Sequence, residues 1–335
     1  MTKLAVGVIG VGRLGSIHAE IYRDLRGVRL AGVCDIDPTK AEAIGRRSGA
    51  TAYTDYRRLL PHVQAVSIAV PTTLHYPIAA ACLQHGIHVL IEKPITDRVA
   101  HADRLLALAR RHRLVLQVGH VERFNPAVRL MRRIARRPRF IEVHRLGPYP
   151  YRSTDISVVL DLMIHDIDIV RALVGAPLRR LDAVGVRVLS DSEDIANARL
   201  IFANGAVANL TASRVTTETL RKIRVFQSNT YLSLDYAARR LAVYQLDGRR
   251  IRHREVAVAG PQPLQAELAA FISAVRSKRP SVGPAEEARD ALAIAKQIEA
   301  SIRRTNQSSV AGRRSMVKST ARTTHLRDRG VGSKS

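Results

Sequence analysis

A glycine-rich segment close to the N-terminus constrains the fold of this chain more than any other feature. Residues 4–9 form a short apolar run, and Gly10, Gly12 and Gly15 follow it where an amphipathic stretch begins. In a strand–turn–helix unit the first glycine permits a tight turn, the second lets the backbone approach a pyrophosphate, and the third lets the helix pack on the strand. Free N–H groups at the start of the helix attract phosphate. The segment therefore predicts a dinucleotide-binding turn.

Short apolar runs and amphipathic stretches alternate over the first 121 residues. This order is typical of a parallel sheet with helices on both faces. Strands are predicted at residues 4–9, 30–34, 65–70, 88–91 and 114–118, and helices at residues 15–25, 39–48, 76–84 and 97–112. We therefore predict an α/β protein whose first domain, residues 1–121, is a Rossmann domain built on a doubly wound parallel sheet.

The pattern changes after residue 121. Helices are predicted at residues 127–136, 157–173, 264–276 and 285–303, and strands at residues 140–145, 181–189, 196–202, 206–213, 223–227, 231–236 and 241–246. Turn dipeptides such as Asn204-Gly205 separate the strands, which indicates hairpins. The second domain, residues 122–304, is therefore predicted to be α+β and built on an antiparallel sheet.

The charge of the chain bears on its partners. Its 335 residues include 54 Lys and Arg against 29 Asp and Glu, a net charge of +25. Because these cations are spread along the chain and few aromatic residues interleave with them, we expect no nucleic-acid partner. From residue 305 the periodicity is lost and seven Lys and Arg accompany one Asp. Residues 305–335 are therefore predicted to form a disordered basic tail.

Cysteine content and hydropathy indicate the compartment. No apolar run approaches the roughly 20 residues that a membrane helix requires, and the first apolar run is too short for a signal peptide. Only Cys34 and Cys82 are present, which excludes a disulfide framework and a cysteine metal site. No set of imidazoles or thiolates has a ligand spacing, so no metal is predicted. We expect a cytoplasmic protein without a membrane partner.

The end of the second strand predicts which dinucleotide is bound. Asp35 lies 20 residues beyond Gly15, where a carboxylate accepts hydrogen bonds from the adenosine ribose and repels a 2′-phosphate. This favours NAD over NADP, although Lys40 and Arg46 lie nearby and favour a phosphate. Other cofactor contacts are expected in the glycine turn and at later strand ends, namely Arg13, Leu14, Pro71, Thr72, His75, Glu92 and Lys93.

The helix at residues 157–173 is apolar on nearly every side, yet it contains ionisable groups. Asp161, His165 and Asp168 are spaced i, i+4, i+7 and are expected to share one face that lines a cleft. A carboxylate one turn from an imidazole fixes its tautomer and stabilises its cation, as a general base near neutral pH requires. The alternative is a buried polar network between the domains. Lys93 is expected beside the reacting hydroxyl or the nicotinamide ribose, or otherwise faces solvent.

These motifs together resemble the oxidoreductase family named after glucose-fructose oxidoreductase and inositol dehydrogenase. The resemblance covers about residues 4–304 and rests on the glycine turn, on Glu92-Lys93-Pro94 and on the helix that carries Asp161 and His165. It implies that Lys93, Asp161 and His165 act in hydride and proton transfer at a sugar carbon, with NAD as cofactor. It also implies a homodimer or a homotetramer.

Two longer stretches, residues 118–126 and 152–168, are similar to one branch of that family. The similarity implies NAD-dependent oxidation of the 3-hydroxyl of UDP-N-acetylglucosamine to a ketone, which a partner aminotransferase converts to the amine of a diamino sugar for lipid A. Arg123, Arg145 and Arg152 are expected to flank the cleft, where guanidinium groups suit the diphosphate; Asp161 and His165 are expected to contact the sugar. Two alternatives stay open: a dehydrogenase of another sugar or polyol, and a non-catalytic NAD-binding regulator.

Overall fold

The first apolar runs assemble into a six-stranded parallel sheet. The computed structural model describes residues 2–149, 156–277 and 285–327. The strands of this first sheet are β1 (Leu4–Ile9), β2 (Val28–Cys34), β3 (Thr51–Tyr53), β4 (Ala65–Ile68), β5 (His88–Ile91) and β6 (Leu116–Val118), in the order β3-β2-β1-β4-β5-β6. The chain order reverses between β1 and β4, so their carboxyl ends form the crevice where ligands bind in such sheets.

Helices cover both faces of the first sheet. They are α1 (Arg13–Asp24), α2 (Pro38–Ser48), α3 (Tyr56–Leu59), α4 (Thr72–Gln84) and α5 (Val99–His112). Alternate residues of β1 face opposite sides, so that Val6 and Val8 belong to one apolar cluster and Ala5 and Ile9 to the other. The predicted doubly wound domain is confirmed; the short β3 and α3 were missed because neither is long enough to show a period.

The second sheet has eight strands and is mostly antiparallel. Its strands are β7 (Phe140–Leu146), β8 (Leu178–Val186), β9 (Ile195–Phe202), β10 (Val207–Ser213), β11 (Leu220–Gln227), β12 (Thr230–Asp235), β13 (Arg240–Asp247) and β14 (Arg250–Ala257), in the order β14-β13-β12-β11-β7-β10-β9-β8. In the part of this sheet that the structure describes, only β7 and β10 pair in parallel. The predicted antiparallel sheet is confirmed apart from that pair. The edge strand β14 was missed because seven of its eight residues are exposed and five are charged or polar, so no apolar alternation marks it.

Helices also lie in the described residues of the second half of the chain. They are α6 (Pro126–Ile134), α7 (Ile164–Val174), α8 (Pro263–Ser277) and α9 (Ala285–Arg327). A π turn, Val159–Met163, precedes α7. Among the described residues no helix is long and apolar enough to cross a membrane.

The helix α9 corrects the prediction for residues 305–335. It continues to Arg327, so the expected disordered tail is helical up to that residue, and residues 328–335 lie outside the described part. Extending a helix that is already formed costs no new nucleus, and this segment contains no proline to stop it.

By sequence, the helix α8 belongs to the predicted second domain, which begins at residue 122. In the structure it packs on the first domain. Leu268, Phe271 and Ile272 of α8 are buried in the same apolar cluster as Val6 and Val8 of β1. The chain therefore returns to the first domain after the second sheet, and α8 covers one face of the parallel sheet. This return also brings α8 against β6, where Gln117 donates to the backbone carbonyl of Glu267.

Candidate active site

The glycine turn between β1 and α1 admits no side chain at two positions. Gly10 has a φ of +85°, and a Cβ there would lie 2.6 Å from the carbonyl oxygen of Ala69. A Cβ on Gly15 would lie 1.8 Å from the carbonyl oxygen of Gly10. The turn and the close helix packing therefore both depend on glycine, as the sequence predicted.

The N-terminus of α1 opens towards solvent. Gly12 stands at the N-cap, no side chain caps the helix, and nothing lies within 4 Å of the position that its Cβ would take. Arg13 and Leu14, in the first turn, are exposed. Unbonded N–H groups beside a positive side chain suit a dinucleotide diphosphate, so the residues fit the predicted cofactor.

The Asp35 carboxylate is hydrogen-bonded to the backbone of the glycine turn. Its carboxylate accepts hydrogen bonds from the backbone N–H of Val11, at 2.9 Å, and of Asp37, at 3.1 Å. The nearby cations are engaged elsewhere, because Lys40 pairs with Asp37 at 3.2 Å and Arg46 pairs with Glu42. The edge of the site where a ribose would lie is therefore acidic.

Lys93 and Asp161 meet across the two halves of the chain. The Lys93 ammonium donates to Asp161 Oδ1 at 2.9 Å and to the Asp161 backbone carbonyl at 2.7 Å. Lys93 follows β5, and Asp161 lies in the π turn, whose wider winding leaves this carbonyl available to a side chain. Both side chains are partly exposed, at 18% and 22%. Lys93 therefore does not simply face solvent.

His165 corrects the predicted Asp161–His165 pair. The Asp161 carboxylate is bonded to Lys93 instead, and the Nδ1 atom of His165 is buried without a partner in the described residues. Burial and the positive charges of Lys93 and Arg145 lower the pKa of His165 well below its ordinary value. The imidazole is therefore neutral at pH 7, and its cation is destabilised where the spacing predicted that it would be stabilised.

A cleft of about 660 Å³ runs from the glycine turn to the second sheet. Its lining residues are Arg13, Leu14, Ile17, Arg145, Leu146, Gly147, Pro148, Asp161, Leu162, Arg214, Thr219 and Arg221. Two of the arginines are exposed, Arg13 and Arg221. Arg221 lies 3.9 Å from the Glu122 carboxylate, which is beyond hydrogen-bonding distance. The cleft therefore combines Asp161 with guanidinium groups that have donors to spare.

Other predicted arginines are placed differently. Arg145 lines the cleft, but its guanidinium is bonded to Asp166 at 2.9 and 3.0 Å. Arg123 is 5% exposed and binds the carboxylates of Asp168 and Glu287, so the structure does not bring it to the cleft. Asp168 is 1% exposed and bonded to Arg123, so it does not line the cleft with Asp161 as predicted. Arg152 lies outside the described residues.

The remaining predicted cofactor residues lie around the strand ends. Pro71 is exposed and Thr72 begins α4. His75 is buried, with its ring nitrogens 2.9 Å from the carbonyls of Pro94 and Val70. It therefore joins two loops rather than facing the crevice. Glu92 is buried as well and lies 3.4 Å from His18.

Two family models match the chain. Residues 4–120 match the oxidoreductase family with an NAD-binding Rossmann fold, and residues 135–233 match the GFO/IDH/MocA C-terminal domain. The chain belongs to the GFO/IDH/MocA oxidoreductase family. The predicted family, its fold and its cofactor, NAD, are thus confirmed.

Named members of this family are similar to the chain over much or nearly all of its length. UDP-N-acetylglucosamine 3-dehydrogenase of Acidithiobacillus ferrooxidans is 37% identical over 309 residues, which cover 90% of this chain and 98% of the relative. A solved structure of that enzyme superposes with a TM-score of 0.85, at 38% identity and the same coverage. Inositol 2-dehydrogenase of Rubrobacter xylanophilus is 34% identical, over 50% of this chain and 52% of its own length.

Sequence reasoning missed some polar residues near the site. Arg221 is one of many arginines in the chain, and nothing in its strand distinguishes it. Glu267 did carry a signal, since it stands between Leu264 and Phe271 on the apolar face of α8. A carboxylate at such a position is buried and requires a reason.

Proposed function

We propose that this enzyme oxidises the 3-hydroxyl of UDP-N-acetylglucosamine to a ketone with NAD. The observation that carries the proposal is the cleft, in which the guanidinium donors of exposed Arg221 lie together with Asp161. A dianionic diphosphate needs such donors, and an uncharged polyol does not. The full-length similarity to a dehydrogenase of that sugar nucleotide supports the same substrate.

In the proposed reaction the chain's own residues handle the proton. His165, neutral because its pKa is lowered by burial and by Lys93, accepts the hydroxyl proton as general base. The Lys93 ammonium, held by Asp161, stabilises the developing alkoxide. Gly10, Gly12, Gly15 and Asp35 would hold NAD, which would accept the hydride when bound.

Substrate contacts follow from the same geometry. Arg221 is proposed to bind the diphosphate, with Asp161 and His165 at the sugar. Arg145 is proposed to position the arginine-lined side of the cleft through its bonds to Asp166. Arg123 is proposed to hold Asp168 in place without contacting the substrate. The predicted contact of Arg152 remains part of the proposal.

A coupled assay tests the substrate. Formation of NADH is compared for UDP-N-acetylglucosamine, UDP-glucose and myo-inositol, with a ketone trap because NAD oxidation of a secondary alcohol is uphill. UDP-N-acetylglucosamine should react fastest, and Arg221→Ala should raise its KM without the same effect on free sugars. Faster oxidation of myo-inositol would favour the polyol alternative, which the inositol dehydrogenase relatives support.

The base is tested by substitution. His165→Ala should keep NAD affinity and lose about 10²- to 10⁴-fold in turnover. Full turnover by His165→Ala would exclude the proposed base, and dispensable Lys93 and His165 together would favour a non-catalytic regulator.

The product and the assembly complete the proposal. A 3-keto sugar nucleotide is a substrate for amino transfer, so an aminotransferase is the expected consumer. Self-association as a homodimer or homotetramer is proposed through the open face of the second sheet, where an aromatic row crosses five strands. The row consists of Phe140, Phe226, Tyr231, Tyr244 and His253.

A further inference from the structure

The described residues contain seven buried side-chain nitrogen or oxygen atoms without a hydrogen-bond partner, and only five residues supply them. Native cores rarely leave such atoms unpartnered. We call these five residues the buried polar cluster. They are His18 of α1, Gln117 of β6, His120 after β6, His165 of α7 and Glu267 of α8.

Contacts join members of the cluster across elements that are far apart in the sequence. The rings of His120 and His165 are nearly perpendicular, with centroids 6.2 Å apart. His120 Nδ1 lies 3.8 Å from Asp168 Oδ2, and Gln117 Nε2 donates to the backbone carbonyl of Glu267 at 3.3 Å. The charges of Asp168 and Glu92 act on both His120 and Glu267, which links these two groups of contacts.

Glu92 connects the cluster to the loop that carries Lys93. Its carboxylate lies 3.4 Å from His18 Nε2 and accepts the backbone N–H of Lys93 at 3.2 Å. A Cβ on Gly119 would lie 2.8 Å from the same carboxylate, which places Glu92 against the residue before His120. Glycine at 119 therefore leaves room for an acidic group at this point.

The charges around the cluster decide which groups hold a proton. Burial and the carboxylates of Glu92 and Asp168 raise the pKa of Glu267 well above its ordinary value. Burial lowers the pKa of His120, which Asp168 partly offsets. These directions favour the protonated form of Glu267 and the neutral form of His120. The other charged or titratable groups that act on the cluster are Tyr22, Lys93, Arg123, Arg145 and Arg221.

Atoms spaced beyond direct hydrogen bonding but sealed from solvent are satisfied by internal water, which commonly makes about three hydrogen bonds. Acidic and basic groups joined by such water can pass a proton. The two nitrogens of His165 suit this, because Nδ1 is the one that is buried without a partner. A substrate hydroxyl bound at Nε2 would close the outward side.

We propose that the buried polar cluster is a relay that carries the hydroxyl proton inward from His165, through His120 and bound water, to the carboxylate of Glu92. The proposal rests on the proposed oxidation. The C–H bond breaks and its electron pair leaves as hydride to NAD, while the O–H proton moves to Nε2 of His165. The proton on Nδ1 then passes through His120 to the Glu92 carboxylate, which Glu267 supports with its own proton. The products are the ketone, NADH and one proton held inside the protein.

Glu267→Gln tests the acidic end, with Glu286→Gln as matched control, because Glu286 is a surface residue paired with Arg110. In the cofactor-free protein at neutral pH, infrared spectroscopy should show a protonated carboxyl band that Glu267→Gln removes and Glu286→Gln keeps. In turnover, Glu267→Gln should lower kcat by about tenfold or more and enlarge the solvent deuterium isotope effect. An absent band in the wild-type protein would overturn the relay.

His120→Ala tests the middle of the relay, with His112→Ala, on the exposed end of α5, as control. Added imidazole should restore turnover to His120→Ala by occupying the cavity, and should not change His112→Ala. Wild-type turnover and isotope effect in both His120→Ala and Glu267→Gln would show that the cluster is only structural. The proposed function fails separately, if no NADH forms from UDP-N-acetylglucosamine while the infrared band is present.

Discussion

Asp35 shows how a single carboxylate can serve both the fold and the choice of cofactor. It accepts the N–H of Val11 in the glycine turn and is expected to accept the ribose hydroxyls of NAD. Asp35→Ser should weaken NAD binding by about 1.5–3 kcal/mol and relax the rejection of NADP, as measured by titration of both cofactors. Asp55→Ser is the matched control, because Asp55 caps α3 and should affect only stability. Equal use of NADP by the wild-type enzyme would contradict the role of Asp35.

Lys93 acts on His165 through charge as well as on the substrate. Its ammonium is among the charges that lower the pKa of His165. Lys93→Met removes that charge, so the pKa of His165 should rise and the acidic limb of the kcat/KM profile should move to higher pH. Turnover at the optimum should fall by about 10²-fold or more, because the alkoxide loses its cation.

Asp161→Asn separates the two effects of Lys93. In this variant Lys93 still donates to the backbone carbonyl of residue 161, but its ion pair with the side-chain carboxylate is lost. Turnover should therefore fall less than in Lys93→Met. NMR titration of His165 in both variants gives the pKa directly. An unchanged His165 pKa in Lys93→Met would show that the two side chains do not interact electrostatically.

At the scale of elements, the helices and strands that local hydrophobic periodicity encodes could be predicted from the sequence. The alternation of runs defined the parallel sheet, and the ionisable groups in an apolar helix marked α7 and its π turn as the site. The pairing inside that site was not predictable, because a π turn leaves no trace in residue spacing and Lys93 is 68 residues from Asp161. The packing of α8 on the first domain likewise depends on tertiary contacts, which the sequence pattern does not show.

The C-terminal helix α9 allows a prediction at this scale. Ile302 is 1% exposed, and Asn306 Nδ2 donates to the backbone carbonyl of Gly185 at 3.4 Å. A chain that ends at Gln307 should therefore fold and turn over as the full chain does, because it keeps these contacts. Ile302→Ala should lose about 2–5 kcal/mol in the free energy of unfolding, measured by denaturant titration. Loss of turnover in the chain ending at Gln307 would place the basic segment in the active site.

The charge of the whole molecule affects its stability and its substrates in opposite ways. With a net charge of +25, the positive side chains repel one another in the compact state and lower its stability. The same charge attracts anionic ligands towards the arginines of the cleft. Added salt screens both effects, with a Debye length near 8 Å at about 0.15 M. Raising the salt concentration should therefore raise the thermal midpoint and also raise the KM for NAD and for UDP-N-acetylglucosamine.

Between about 0.01 M and 0.15 M salt, KM is expected to rise by roughly 2- to 10-fold. This is at or below the lower end of the 10- to 10³-fold increase in association rate that electrostatic steering gives. Sucrose at matched osmolality is the control, because it stabilises compact states without screening charge. Arg221→Gln should reduce the salt dependence of KM for the sugar nucleotide and leave that of the thermal midpoint nearly unchanged, since it removes one charge of many. A KM independent of salt would mean that substrate is held without the free guanidinium groups, and the arginines of the cleft would lose their proposed role.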